Sequence, residues 1–223
     1  MPKTKAYIVG VGPGSPDHVT PGAQRAIGEA QILVGWEFNF LPVQPLAAGK
    51  KVYLQRAADY IRVAENAAEE ARRRGETVAV LRIGDPCISG GLDELLRIFH
   101  DFEVEIIPGI SSVQAAAAIA RVNLDESVVI SFHEDKNDLP EKLKFMLEAF
   151  NQRRHLIVLN GQVKRPDEVA GYLIENGVSP DTPVIVGENL TLEDERIFRG
   201  TLQDIITGEF SWLAVMVILQ AKE

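Results

Sequence analysis

Val80-Leu81-Arg82-Ile83-Gly84-Asp85-Pro86-Cys87-Ile88-Ser89-Gly90-Gly91 is the stretch that decides the fold. The apolar run Val78 to Ile83 reads as a buried strand. Gly-Asp-Pro closes it, and a helical pattern follows from Leu92 to His100. In an open α/β sheet, ligands bind at the carboxyl ends of the strands. Gly84 admits a ligand to the main chain, Asp85 supplies a charge and Pro86 stiffens the loop. Gly, Asp and Pro are also common turn residues, so alone the stretch reads as a plain strand-to-helix turn. Two further loops change its weight.

The first is Gly10-Val11-Gly12-Pro13-Gly14, after the short apolar strand Ala6–Val9. The second is Pro108-Gly109-Ile110-Ser111-Ser112, between strand Val104–Ile107 and the alanine-rich helix Val113–Arg121. Ser111 and Ser112 offer hydroxyls at a helix N-terminus, where free N–H groups suit an anionic or polar group. Strands are expected also at Ile32–Val34 and Val52–Leu54. Thr20 and Pro21 start a helix that runs to about Ala30. Residues 35 to 50, with three aromatics and two prolines, read as a loop. Asp59–Arg74 is the clearest helix, with apolar residues at spacings of three and four and Gly75 to stop it.

A second series follows. It comprises strands Val128–Ser131, Leu156–Leu159, Pro183–Val186, Ile197–Arg199 and Leu213–Leu219, with helices Glu141–Asn151, Pro166–Asn176 and Leu202–Thr207. The alternation predicts an α/β protein of two lobes, residues 1–122 and 123–223, with largely parallel sheets covered on both faces.

The 223 residues suffice for one large or two small domains. Apolar residues at 46% and charged residues at 25% are those of a soluble globular protein. No run is long enough to span a membrane, and the N-terminus has no secretory apolar region. The one cysteine, Cys87, excludes an intrachain disulfide and points to a reducing cytoplasm; it reads as a small packing residue. A formal net charge of -9 argues against nucleic acid or an anionic membrane as partner.

Gly10–Gly14 departs from the dinucleotide fingerprint, because proline holds position 13 and the helix cap comes only at Thr20. With Glu37 as ribose acid, a nicotinamide-dependent oxidoreductase nevertheless stays open, as does a binding module that closes on a small ligand.

Val9–Gly14, Gly84–Pro86 and Pro108–Ser112, in that order, resemble the tetrapyrrole methylase family: a V-G-x-G-P-G turn, a G-D-P loop and a P-G-I-S-S segment. The resemblance covers the whole chain. It implies two α/β lobes with S-adenosylmethionine in the cleft between them, a homodimer with the Trp36–Phe40 segment as apolar surface, and methylation of a corrin precursor. Pro108–Ala116 and Val128–His133 are most similar to the branch that methylates C-5 of cobalt-precorrin-7 or precorrin-6Y. The chain ends at Glu223, which implies that the decarboxylating methyltransferase of that pathway is a separate partner.

By motif position, the cofactor would meet Pro13, Gly84, Asp85, Ile88, Ser111 and Ser112. By topology it would meet Asn160, Gly161 and the Gly187-Glu188-Asn189 turn. His133 is the candidate general base, and a plain surface histidine is the competing reading. Lys136, Lys164 and Arg165 are candidates for the acceptor's carboxylates, against solvated surface charge. His133-Glu134-Asp135 has no metal-ligand spacing, so no protein-bound metal is expected; any cobalt would belong to the substrate.

Overall fold

The computed structural model describes residues 3–88, 91–133 and 138–220. The chain divides into two units, residues 1–111 and 112–223.

The first unit is built on β1 (Lys5–Gly10), β2 (Ile32–Gly35), β3 (Lys51–Leu54), β4 (Val78–Arg82) and β5 (Glu103–Ile107). Its helices are α1 (Pro21–Glu29), α2 (Glu37–Phe40), α3 (Gln44–Ala47), α4 (Tyr60–Arg74) and α5 (Leu92–Ile98). The five strands are parallel, in the order β3-β2-β4-β1-β5. The period of two in a strand sends alternate residues to opposite faces. Ile8, Val34 and Val80 pack with the α4 alanines Ala64, Ala67, Ala68 and Ala71. Tyr7, Val9, Leu33 and Leu81 pack with Ala23, Ala26 and Ile27 of α1. Both faces are thus covered, which is why these strands read as continuous apolar runs. Thr20 Oγ1 accepts the Ala23 N–H at 3.1 Å and opens α1. Gly75, at φ +66°, closes α4.

The second unit begins with α6 (Ser112–Ala120). It continues through β6 (Ser127–Ser131), α7 (Leu139–Asn151), β7 (His155–Leu159), α8 (Pro166–Glu175), β8 (Pro183–Glu188), β9 (Arg196–Thr201), α9 (Leu202–Thr207) and β10 (Ala214–Ile218). Its sheet has the order β6-β7-β10-β8-β9. Ile130, Leu156, Val158, Val186 and Met216 form one core with Met146 of α7 and Val169 and Leu173 of α8.

Three expectations change. The second sheet is mixed: only β6 and β7 pair in parallel, while β10 runs antiparallel to β7 and β8, and β9 antiparallel to β8. The turn between β8 and β9 is too short for the crossover a parallel pair needs. Residues 35–50 hold α2, α3 and the 3-10 turn Leu41–Val43 instead of a loop. Finally, the division between units falls before the alanine helix rather than at residue 123, because α6 packs on β10 and β7.

Candidate active site

In the first unit, β4, β1 and β5 are consecutive in the sheet, so their carboxyl ends, Gly84, Gly10 and Gly109, meet. The approach is main chain to main chain. A Cβ on Gly109 would stand 2.2 Å from the Gly84 carbonyl oxygen and 2.8 Å from Gly10 Cα. A Cβ on Gly10 would stand 2.6 Å from the Gly109 nitrogen. Only glycine fits at these two positions. Gly84 donates to the Gly12 carbonyl at 2.7 Å, and Val11 to that of Arg82 at 2.9 Å, which folds the Gly10–Gly14 loop onto the Gly-Asp-Pro loop.

Asp85 is only 8% exposed. Its Oδ1 accepts the Cys87 N–H at 2.7 Å and its Oδ2 the Gly109 N–H at 3.0 Å. The Ile88 N–H closes the turn on the Asp85 carbonyl at 3.1 Å. Ser111 is buried beside Gly84, and Pro13 and Ile88 are half-buried. The sequence-predicted residues of this unit thus lie along one sheet edge. Cys87 is exposed instead of packed.

One residue passed over in the sequence belongs here. The His18 carbonyl abuts Gly12, and His18 Nδ1 is buried with no hydrogen-bond partner among the described residues. Its only sequence signal is a histidine shortly after the glycine loop, in the 3-10 turn Pro16–His18.

In the second unit the strand ends carry side chains. Asn160, at the end of β7, is fully buried. Its N–H donates to the Ala214 carbonyl at 3.0 Å and its Nδ2 to that of Lys164 at 3.4 Å. Its Oδ1 has no partner among the described residues. A Cβ on Gly161 would stand 2.5 Å from the Phe132 carbonyl oxygen and 2.8 Å from His133 Cα, so this turn lies against the end of β6. Burial pushes the His133 imidazole below its ordinary 6.5, partly offset by a hydrogen bond with the Asn160 main chain.

Across β10, Ala214 pairs with Glu188, so Asn160 and Glu188 flank the same residue. Glu188 is 7% exposed, and its two oxygens are taken by Arg196 Nε and the Ser211 N–H. Arg196 also donates to the Glu209 carbonyl at 2.8 Å and lies over the Phe210 ring. Glu188 therefore holds the segment that leads into β10. Lys164 pairs with Glu168 at 3.5 Å, and Arg165 with Asp167 at 3.3 Å. Ser112 opens α6, and Lys136 lies outside the described residues. Among the described residues, no group of three or more His, Cys, Asp or Glu side chains could hold a metal ion.

Glycine-lined strand ends on a parallel α/β sheet, followed by a 3-10 turn before the first helix, define an α/β protein of a type distinct from the dinucleotide-binding fold. Glu37 lies in the first turn of α2, and the oxidoreductase reading is dropped. The chain belongs to the tetrapyrrole (corrin/porphyrin) methylases, whose family model it matches over residues 5–206, and it is a methyltransferase. It is 34% identical over 212 residues to a probable cobalt-precorrin-7 C(5)-methyltransferase of Methanocaldococcus jannaschii, covering 95% of this chain and 96% of the relative. It is 35% identical over 216 residues to the cobalt-precorrin-4 C(11)-methyltransferase of the same organism, covering 90% and 80%. Among solved structures, it is similar to the precorrin-6Y methylase of Archaeoglobus fulgidus, with a TM-score of 0.70 and 28% identity, covering 97% and 98% of the two chains.

Proposed function

We propose that this chain methylates C-5 of a corrin precursor of the cobalt-precorrin-7 or precorrin-6Y type. The observation that carries the reading is the near full-length similarity to the probable C(5)-methyltransferase, at 34% identity over 95% of the chain. The comparable 35% identity to a C(11)-methyltransferase supports a second reading, transfer to another ring carbon.

S-adenosylmethionine is the methyl donor, and its sulfonium supplies an electrophilic methyl that needs no covalent protein intermediate. The residues present fit it in two ways. In the first unit, Gly84, Gly109 and Ser111 close main chain on main chain at the sheet edge, and half-buried Pro13 and Ile88 beside them would meet the donor. In the second, the unpartnered Asn160 Oδ1 would accept a hydrogen bond from the adenosine end, with the Gly161 and Gly187 main chains alongside. Positioning of this kind is worth about 7–11 kcal/mol in the best cases. His133, kept neutral by burial, would take the proton released from the methylated ring. Lys164 and Arg165 would meet the acceptor's carboxylates. The reading includes a cytoplasmic homodimer with exposed Phe38 and Leu41 at its contact. No helix of the described residues is long and apolar enough to cross a membrane.

Calorimetric titration with S-adenosylhomocysteine tests the donor, and NMR of the methylated corrinoid tests the carbon. A base must be unprotonated, so kcat/KM should fall as pH drops through the lowered His133 pKa, below 6.5. His133→Asn should remove that limb and cost about 10²–10⁴-fold in kcat. Methylation at C-11 would select the second reading, and absence of S-adenosylhomocysteine binding would end both.

A further inference from the structure

An aspartate at a strand end invites the role of charge partner to a ligand. The geometry points to a different one: Asp85 is a positioning residue that locks the loop after β4 to the loop after β5, and the ligand rests on the main chains it holds. The inference deepens the methyl-donor reading and rests on it.

β4 and β5 are not neighbours, because β1 lies between them. Strands two places apart in a sheet are about 10 Å apart. Their following loops can touch only by closing over the end of β1. Gly10 stands there, and a Cβ on it would strike both the Gly109 nitrogen and the Gly84 oxygen at 2.6 Å. With no side chain in the way, Asp85 Oδ2 reaches the Gly109 N–H at 3.0 Å, while Oδ1 holds its own loop through the Cys87 N–H at 2.7 Å. The residue is 8% exposed. Each oxygen thus has a main-chain donor, and charge-assisted bonds of this kind are the strong ones. An asparagine keeps the shape but turns one oxygen into a donor facing an N–H. Either Cys87 or Gly109 then loses its acceptor.

The test compares three ligands on wild type and D85N: S-adenosylhomocysteine, 5′-methylthioadenosine, which lacks the amino-acid end, and the 2′,3′-dideoxy form of S-adenosylhomocysteine. A positioning residue weakens all three by the same factor, expected to be about tenfold, or about 1.4 kcal/mol. Loss confined to ligands with the ammonium, or to those with ribose hydroxyls, overturns the inference in favour of direct contact. A lower melting temperature with all three affinities kept overturns it in favour of a plain turn residue. A second measurement needs no variant. In wild type, the Gly109 amide proton should stay protected from exchange when S-adenosylhomocysteine saturates the protein. An upfield shift with lost protection means the carboxylate has left it for the ligand, which also overturns the inference. Wild type that binds none of the three overturns the methyltransferase reading itself, a result visible before any variant is made.

Discussion

The two units place their candidate residues at strand ends by opposite means. The first uses absence: three glycines at or just past the ends of adjacent parallel strands bring main chain against main chain, and one carboxylate ties the loops after β4 and β5. The second uses presence: a buried amide, a half-buried imidazole and a buried carboxylate stand at the ends of β7, β6 and β8 in a mixed sheet. A glycine-built edge is rigid because nothing in it can rotate away. A side-chain-built edge can relax through rotamers. Tolerance to added atoms should therefore separate the two.

The largest effect is expected at Gly109. An added methyl would meet the Gly84 oxygen at 2.2 Å and Gly10 at 2.8 Å, all main chain. Gly109→Ala should destabilise by about 3 kcal/mol or more, at the severe end for overpacking. Gly161→Ala also meets only main chain, the Phe132 oxygen at 2.5 Å and His133 Cα at 2.8 Å, so its cost should fall just below that of Gly109→Ala. Gly187→Ala meets the Leu190 side chain at 2.5 Å, which can rotate, so less than about 1.5 kcal/mol is expected. Thermal melting of the three variants checks the order. If Gly187→Ala proves as costly as Gly109→Ala, the contrast between the edges is gone.

The same contrast explains what the sequence reveals. Glycine loops and continuous apolar strands leave local signatures, and so does the α4 helix, whose alanines at spacings of three and four end at Gly75. The strands of the parallel sheet and helices α1 and α4 follow from them. Long-range pairing leaves none. Nothing local shows that β10 inserts between β7 and β8, or that the alanine helix packs on the second sheet. Pro42 and Pro45 read as helix breakers, yet each stands in the first turn of a short helix, where a missing N–H costs nothing. Asp85 is legible as a strand-end acid, but its partner Gly109 lies on another loop. The unpartnered oxygen of Asn160 is a fact of packing that no motif states.

An intermediate effect is expected at Glu188. Its carboxylate accepts from Arg196 and from the Ser211 N–H in a setting 7% exposed. Hydrogen bonds to charged groups contribute about 1.5–3 kcal/mol each. Glu188→Gln keeps the volume but removes the charge and one acceptor. It should destabilise by about 2 kcal/mol. Affinity for S-adenosylhomocysteine should be kept, because the oxygens are committed to protein donors. A large loss of affinity with the melting temperature unchanged would assign the carboxylate to the ligand and make the second edge more like a charge clamp.

The smallest effect on stability is expected at Lys164, which separates main chain from side chain within the second edge. The Lys164 carbonyl accepts from the Gly161 N–H at 3.1 Å and from Asn160 Nδ2 at 3.4 Å, and any residue can supply that carbonyl. Its ammonium pairs with Glu168 at 3.5 Å, four residues along the chain. Such pairs contribute about 0.3–0.5 kcal/mol. Lys164→Ala should therefore shift the melting temperature by no more than about 1–2 °C. Its KM for a carboxylate-bearing corrinoid should rise several-fold, and the rise should shrink with added salt, because salt screens the attraction between the ammonium and a carboxylate. Affinity for S-adenosylhomocysteine should stay put. If KM is unchanged at low salt, the ammonium takes no part in acceptor binding. The second unit would then meet the acceptor through Arg165 and His133.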